Sequence, residues 1–256
     1  MIAGDLDPGW IVPDWPAPPG VHAVCTTRAG GVSEGPYASL NLGDHVGDAP
    51  HWVAANRTRL ATAIGARPVY LQQVHGTAVS VLEDGTPDGV EADAATTTHS
   101  GLACTVMVAD CLPVLFTDAQ GRRVAAAHAG WRGLASGVLA RTVQVFDDDR
   151  GHRDQLMAWL GPCIGPRAFE VGGEVKAEFE SKDAGAAAHF RPAGAEGKWL
   201  ADLPALARRQ LAALGVNQVW GNDGSDAWCT VAQASRFFSY RRDRVSGRFA
   251  ALVWRV

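Results

Sequence analysis

Three side chains of metal-binding type stand where short apolar segments of the sequence end. His75 follows YLQQV and precedes Gly76, Cys111 lies where TVMVAD meets CLPV, and His128 lies near the end of VAAAHAG. Two imidazoles and a thiolate bind zinc at about 2.0–2.3 Å and leave a fourth position open, as in catalytic sites. The spacings of 36 and 17 residues match no short zinc motif, so taken alone these residues also fit core packing.

The segments that carry the three residues are predicted strands in a mixed α/β chain. Helices are predicted for HWVAANRTRLATAIG, GWRGLASGVLARTVQVF, EVKAEFESK and DLPALARRQLAALG. Strands are predicted for VHAVCTT, PVYLQQVHG, TAVSVLE, LACTVMVAD, CLPVLFTD, VAAAHAG, QLMAWLGPCIG and VNQVWGN, with a C-terminal hairpin around Val245-Ser246-Gly247. This mixture favours an α/β fold with a partly antiparallel sheet. Open α/β sheets place their sites at strand ends, where His75, Cys111 and His128 lie.

Composition narrows the functional classes. The 256 residues are 47% hydrophobic with a net charge of −4, so a sizeable core is expected and a general nucleic-acid-binding role is disfavoured. No apolar run approaches the roughly 20 residues of a membrane helix. The opening MIAGDLDPGWIVPDWPAPPG lacks a signal-peptide pattern, and the five cysteines form no CxxC pair. We therefore expect a cytoplasmic enzyme with no membrane or protein partner.

Several longer strings resemble one known family. TTRAGGVSEGPYASLNLGDHVGD, LQQVHGTAV, DAATTTHSGLACTVMVADCLPVLFTD, VAAAHAGWRGLASGV, GPCIGPRAFEVG and FFSYRRDRVSGRFAALVW are similar to the YfiH family, in this order and over nearly the whole chain. Its members are described as laccase-domain polyphenol oxidases, purine nucleoside phosphorylases and peptidoglycan editing factors. The resemblance implies a single α/β/β/α sandwich domain with mixed sheets over residues 21–256, after an extended lead-in over 1–20. It also implies zinc or copper on His75, Cys111 and His128.

Charged and polar residues near these motifs are candidates for binding substrate and moving protons. Arg28 lies in the glycine-rich loop of residues 28–48, where an arginine and backbone N–H groups favour phosphate. Asn41 and Arg132 are further candidates for the substrate and anion site. Arg241 and Arg242 would point to opposite faces of one strand, so at most one is expected to face the site, and Arg241 is taken as the candidate. Asp110 joins His75, Cys111 and His128 as a catalytic candidate if a bend turns it towards the metal.

Together with the glycine-rich loop that holds Arg28, the family resemblance implies a metal-dependent purine nucleoside phosphorylase that converts adenosine or inosine and phosphate into base and ribose 1-phosphate. The same metal site fits adenosine deamination. Three alternatives stay open: a copper polyphenol oxidase, a hydrolase that edits wrongly built muramyl–amino-acid precursors of peptidoglycan, and a non-enzymatic protein with a structural zinc. Cys163 and Cys229 are candidates for a second metal site, although burial in the core is the simpler interpretation.

Overall fold

Two β-sheets packed face to face form the centre of the computed structural model, which describes residues 6–147 and 155–256. The described strands are β1 (Val21–Cys25), β2 (Arg67–Tyr70), β3 (Val79–Val81), β4 (Ala94–Thr97), β5 (Leu102–Val108), β6 (Leu112–Asp118), β7 (Val124–Ala129), β8 (Leu156–Leu160), β9 (Glu170–Gly172), β10 (Phe190–Pro192), β11 (Lys198–Ala201), β12 (Gln218–Gly221) and β13 (Phe249–Arg255). The described α-helices are α1 (Pro50–Ile64), α2 (Trp131–Ser136), α3 (Val138–Gln144), α4 (Gly173–Glu180), α5 (Leu203–Ala213) and α6 (Tyr240–Asp243).

The first sheet has the strand order β1-β13-β5-β2 and is apolar on both faces. β13 runs antiparallel to β1 and β5, whereas β2 runs parallel to β5. Alternate residues of β13 serve the two faces, because successive side chains of a strand point in opposite directions. Ala251 and Val253 pack towards the second sheet, and Leu252 and Trp254 pack in the same cluster as Leu60 of α1.

The second sheet has the strand order β12-β8-β6-β7-β4-β3. On β6, Leu115 packs towards the first sheet, whereas Val114 and Phe116 belong to the cluster that holds Leu139 of α3 and Leu206 of α5. Helices therefore cover the outer face of each sheet, and the predicted α/β/β/α layering is confirmed. A small antiparallel sheet, β10-β11-β9, extends the second helical layer beside α4.

The predicted N-terminal lead-in packs on this core from residue 6 onward; residues 1–5 lie outside the described part of the chain. Ile11 forms a β-bridge with Cys25, and Trp15 packs against the cluster between the sheets. The boundary at residue 21 stays a prediction. No helix in the described ranges is long and apolar enough to cross a membrane.

Two predicted elements near the site are wrong in detail. The predicted C-terminal hairpin is replaced by α6 and the single strand β13. Ser239 begins α6, where its hydroxyl accepts the N–H of Arg242, and Arg244 ends it with a left-handed φ of 62°. The predicted helix over residues 130–146 is divided into α2 and α3 at Gly137, whose φ of 95° is incompatible with a continuous helix.

Candidate metal centre and cavity

His128 is the inner ligand of the candidate metal centre. It lies on β7, on the same face as Val124 and Ala126, which pack between the two sheets, and it is 3% exposed. Its Nδ1 lies 2.8 Å from Oδ1 of the fully buried Asp93. Because a carboxylate only accepts hydrogen bonds, Nδ1 carries a proton, and Nε2 is the ring nitrogen that could bind a metal.

His75 lies five residues beyond the end of β2, so the predicted strand PVYLQQVHG extends too far. After Tyr70 the backbone no longer pairs with β5, and the side chain of Gln73 forms hydrogen bonds to the backbone of β5 instead. Its Nε2 donates to the carbonyl of Met107 at 2.9 Å, and its Oε1 accepts the N–H of Met107 at 2.8 Å. The backbone is thereby released from the sheet, and His75 adopts a left-handed φ of 62°.

Asp93 fixes the turn that carries His75. Its carboxylate accepts the backbone N–H groups of Val74, His75 and Gly76 at 3.1, 2.9 and 2.6 Å. Burial alone would raise the pKa of Asp93, but the hydrogen bonds from His128 and from these N–H groups outweigh it and lower the pKa. One ionised carboxylate therefore holds both histidines, one through its ring and the other through its backbone.

Cys111 lies at the bend between β5 and β6. Asp110, immediately before it, has a φ of 103°, and at this bend both residues line one cavity. The Sγ of Cys111 lies 3.7 Å from Nε2 of His75. Burial opposes ionisation of the thiol, but its interactions with His128 and His75 lower the pKa of Cys111, and Cys111 and Asp93 in turn raise the pKa of His128.

The donor atoms of His75, Cys111 and His128 all lie within 4.8 Å of one another. This distance suits ligands that converge on one ion, and the two imidazoles and one thiolate fit zinc or copper. Gly130 leaves room for the group, because a Cβ there would lie 2.8 Å from Cδ2 of His75 and 2.9 Å from Sγ of Cys111. Among the described residues the group has three ligands, a number that would leave a fourth position of a zinc ion open.

The three ligands line a cavity of about 400 Å³, a volume that suits a small-molecule site. Its walls combine apolar, aromatic and cationic side chains, namely His45, Leu71, Gln73, Met107, Val108, Ala109, Asp110, Trp131, Arg132, Ile164, Phe169, Leu203, Tyr240, Arg241 and Arg248. Arg132 lies over the ring of Trp131 at 4.5 Å, and Arg241 lies over the ring of Phe169 at 5.4 Å. Cations and aromatic faces therefore stand side by side in the cavity.

Asp110 lines the cavity, but both of its oxygens are already engaged. Oδ1 accepts the hydroxyl of Thr230 at 2.6 Å, and Oδ2 accepts the backbone N–H of Arg241 at 2.7 Å. Arg241 faces the cavity, whereas Arg242 donates to the carbonyls of Thr230 and Phe237. The expectation that at most one of this pair faces the site is met, although both residues lie on a helix rather than on a strand.

Two predicted substrate-binding residues do not reach the cavity wall. The guanidinium of Arg28 donates to the carbonyls of Ala38 and Ala234 at 2.8 and 2.9 Å and lies over the ring of Phe238. The side chain of Asn41 is fully buried and bonds within the glycine-rich loop and to the backbone N–H of Arg248. Both residues hold the loop, because its glycines and turns leave backbone carbonyls and N–H groups that need partners.

Cys163 and Cys229 are buried and lie opposite each other in a β-bridge. The Sγ of Cys229 accepts the backbone N–H of Gly165 at 3.2 Å, and the Sγ of Cys163 accepts the amide of Asn222 at 3.4 Å. The group of His75, Cys111 and His128 includes neither of them, and no second group of three ligands occurs among the described residues.

The sequence pattern does not identify three residues around the centre: Asp93, His45 and Arg248. Asp93 opens the quoted string DAATTTHSG, and its one local signal is a carboxylate at the start of an apolar strand. Arg248 follows Gly247 in VSGRF and has no distinguishing signal of its own. Asp93 and Arg248 become site residues through contacts with segments distant in the sequence, and His45 lines the cavity from the glycine-rich loop.

Comparisons with known proteins identify the family of this chain. A family model described as "Multi-copper polyphenol oxidoreductase laccase" matches residues 22–256. A Pseudomonas aeruginosa protein named as a purine nucleoside phosphorylase is 52% identical over 246 residues, covering 96% of this chain and 98% of the relative. The Escherichia coli protein named purine nucleoside phosphorylase YfiH is 51% identical over 248 residues, covering 96% and 98%.

A solved structure extends the agreement to the fold. The crystal structure of a Neisseria meningitidis protein, at 48% identity, has a TM-score of 0.88 and covers 96% of this chain and 99% of its own. The range matched by the family model, residues 22–256, includes His75, Cys111 and His128. The chain therefore belongs to the laccase-domain family that includes the YfiH proteins.

Proposed function

We propose that this protein is a metal-dependent purine nucleoside phosphorylase acting on adenosine or inosine. The observation that carries the proposal is the single cavity in which His75, Cys111 and His128 stand beside arginines and aromatic rings. Phosphorolysis needs these parts together, namely a face for the base, cations for phosphate and a group that stabilises the charge of the leaving base. The relatives named as purine nucleoside phosphorylases support the same reaction.

In this reaction an oxygen of phosphate bonds to C1′ of the ribose while the bond from C1′ to N9 of the purine breaks. The base takes up the proton that phosphate gives up, so the products are free base and ribose 1-phosphate. A zinc ion on His75, Cys111 and His128 would supply a Lewis acid in the cavity. The rings of Trp131 and Phe169 provide flat apolar faces for the purine, on which stacking contributes about 1–3 kcal/mol per base.

The cations of the cavity bind phosphate and the developing negative charge. Arg132 and Arg241 are candidates, because guanidinium groups bind phosphate through paired hydrogen bonds. Asp110 already accepts two hydrogen bonds, which supports a role in positioning Arg241 rather than in proton transfer.

All five cysteines are free thiols, which supports a cytoplasmic location.

Deamination of adenosine by the same site is the closest second activity, because it needs the same base-binding face. The description of the matched family favours a polyphenol oxidase as a further candidate. A laccase-type reaction gathers several coppers, whereas the described residues bring together one group of three ligands. Hydrolysis of muramyl–amino-acid precursors stays as a third alternative for the same metal site.

The test is to incubate the purified, metal-analysed protein with inosine and phosphate and to measure ribose 1-phosphate and hypoxanthine. We expect both products in equal amounts, and their loss in Cys111→Ala and His128→Ala together with the metal. Cys104→Ala, which changes a cysteine buried between the sheets, should keep both metal and activity.

Parallel assays separate the alternatives. Ammonia release from adenosine would indicate deamination, turnover of phenols with copper bound would indicate an oxidase, and release of the amino acid from a muramyl precursor would indicate the editing hydrolase. If high enzyme concentrations form no ribose 1-phosphate, the phosphorylase proposal is wrong.

A further inference from the structure

Arg248 is a half-buried cation of the cavity with unused hydrogen-bonding capacity. Its Nη1 donates to the carbonyls of Ser246 and Gly247 at 2.9 and 3.1 Å. No carboxylate of the described residues forms a salt bridge with it, and Nε and Nη2 have no acceptor among them. A half-buried guanidinium without an anionic partner is costly, and an oxyanion in the cavity would supply that partner.

The glycine-rich loop holds Arg248 in this place. The buried Oδ1 of Asn41 accepts the backbone N–H of Arg248 at 2.8 Å and that of Gly43 at 2.9 Å. The N–H of Leu42 donates to the carbonyl of Arg248 at 3.0 Å. Gly43 gives room to the side chain, since a Cβ there would lie 2.8 Å from Cγ of Arg248.

The other two arginines of the cavity are less suited to hold a small anion. Arg132 is exposed and stacked on Trp131. Arg241 donates one hydrogen bond to the carbonyl of Glu170 at 3.0 Å, and its guanidinium stacks on Phe169. Their positions beside the rings suit contact with a base or a sugar, whereas Arg248 combines partial burial with free donors.

We propose that Arg248 is the principal binding group for inorganic phosphate, and that Asn41 and Gly43 position it. This inference rests on the proposed phosphorylase function, because it names the subsite of the phosphate that the reaction consumes. Asn41 then contributes to the anion site, as the sequence suggested, but through the backbone of Arg248 instead of through its own contact with the ligand. Arg28 contributes nothing to this subsite.

The test measures binding of inorganic phosphate to the metal-loaded protein by calorimetry, with and without inosine, in wild type, Arg248→Met and Arg248→Lys. Methionine keeps the apolar stem against Gly43 and removes the donors. We expect the Kd for phosphate to rise about 10- to 100-fold in Arg248→Met, as for the loss of charged hydrogen bonds, and less in Arg248→Lys. The KM for inosine should change by less than about threefold, and added guanidinium should restore part of the phosphate binding to Arg248→Met.

Arg141→Ala is the matched control, since Arg141 is an exposed arginine of α3 outside the cavity. Melting temperature and metal content show whether each variant keeps its fold and its centre. Asn41→Ala should raise the KM for phosphate with a smaller change in kcat, and guanidinium should not rescue it, because Arg248 is still present.

The proposal would be overturned by unchanged phosphate binding in Arg248→Met, or by no phosphate binding by the wild type either with or without inosine. An effect of Arg248→Met confined to inosine binding would also overturn it. So would a loss of affinity for inosine 5′-monophosphate in this variant while its affinity for inorganic phosphate is unchanged. If wild type binds phosphate through Arg248 but forms no ribose 1-phosphate, the subsite stands and the proposed reaction fails.

Discussion

At the scale of single residues, the candidate centre depends most on Asp93, which is not itself a ligand. Its one carboxylate accepts the Nδ1–H of His128 and three consecutive backbone N–H groups around His75. Carboxylates behind metal-binding histidines fix the ring and its tautomer. The left-handed backbone of His75 is held by the same contacts, which is typical of strain at functional sites.

Asp93→Asn should weaken metal binding about 10- to 100-fold, the usual effect of losing such a carboxylate. An asparagine offers only one acceptor oxygen. Its NH2 group would face N–H groups that donate hydrogen bonds to the carboxylate of Asp93. The measurement is competition for zinc with a chelating dye, alongside cobalt spectra of the substituted centre. Asp118→Asn is the control, since Asp118 also accepts backbone N–H groups in a turn but lies outside the cavity. Equal zinc affinities in wild type and Asp93→Asn would contradict this role.

Arg28→Ala should lower stability rather than phosphate affinity. The substitution removes the donors to the carbonyls of Ala38 and Ala234, at a cost of about 1–3 kcal/mol in the free energy of unfolding. Urea unfolding measures that cost, and the ratio of the KM values for phosphate and inosine serves as the control. A selective rise in the KM for phosphate without loss of stability would instead return Arg28 to the anion site.

At the scale of elements, the turn from β7 into α2 brings the ligands close to backbone. Gly130 lies between β7, which carries His128, and α2, and its missing side chain leaves space for His75 and Cys111. Seven residues later Gly137 breaks the helical segment with a left-handed φ of 95°. At Gly130 the missing side chain lets His75 and Cys111 approach the backbone. At Gly137 it allows the left-handed backbone conformation.

Gly130→Ala should disturb the centre while the fold persists. The new Cβ would lie less than 3 Å from Cδ2 of His75 and Sγ of Cys111, so the ligands must move apart. We expect a lower metal content and a loss of activity, measured by elemental analysis and the phosphorolysis assay. Gly194→Ala is a suitable control, because a Cβ there meets nothing within 4 Å. Full metal content in Gly130→Ala would show that the ligands tolerate this Cβ.

At the scale of the whole molecule, the ligands come from three segments that belong to both sheets. His75 follows β2 of the first sheet, Cys111 joins β5 of the first to β6 of the second, and His128 lies on β7 of the second. An ion bound to all three links the two sheets at one edge. Because a metal at this centre would bind the folded state, and this geometry is absent from the unfolded chain, its binding would contribute to stability.

Removal of the metal should therefore lower the melting temperature. At a free metal concentration 100 times the Kd, the stabilisation is about 2.7 kcal/mol, which a thermal melt detects easily. A chelator should lower the melting temperature of the wild type, and added zinc should restore it. Cys111→Ala should melt at the same temperature with and without chelator, and a large chelator effect on that variant would place the stabilising metal elsewhere.

The sequence alone was sufficient for the class of fold and for the choice of the three candidate ligands. Continuous apolar runs predict β5, β6 and β7, because a strand buried on both faces needs apolar residues throughout, and His75, Cys111 and His128 stand out as metal-binding types beside these strands. The family motifs strengthen that choice. These features are local, so the order of residues along the chain is enough to identify them.

Only the tertiary structure decided which other residues belong to the site. Asp93 and Arg248 matter through contacts with His75, His128 and Asn41, which lie 18, 35 and 207 residues away in the sequence. Arg28 has the charge that phosphate needs, but the loop carbonyls use its donors. Whether a polar side chain binds a ligand or the backbone depends on which partners the fold brings within about 3 Å of it. The spacing of residues along the chain does not determine that distance.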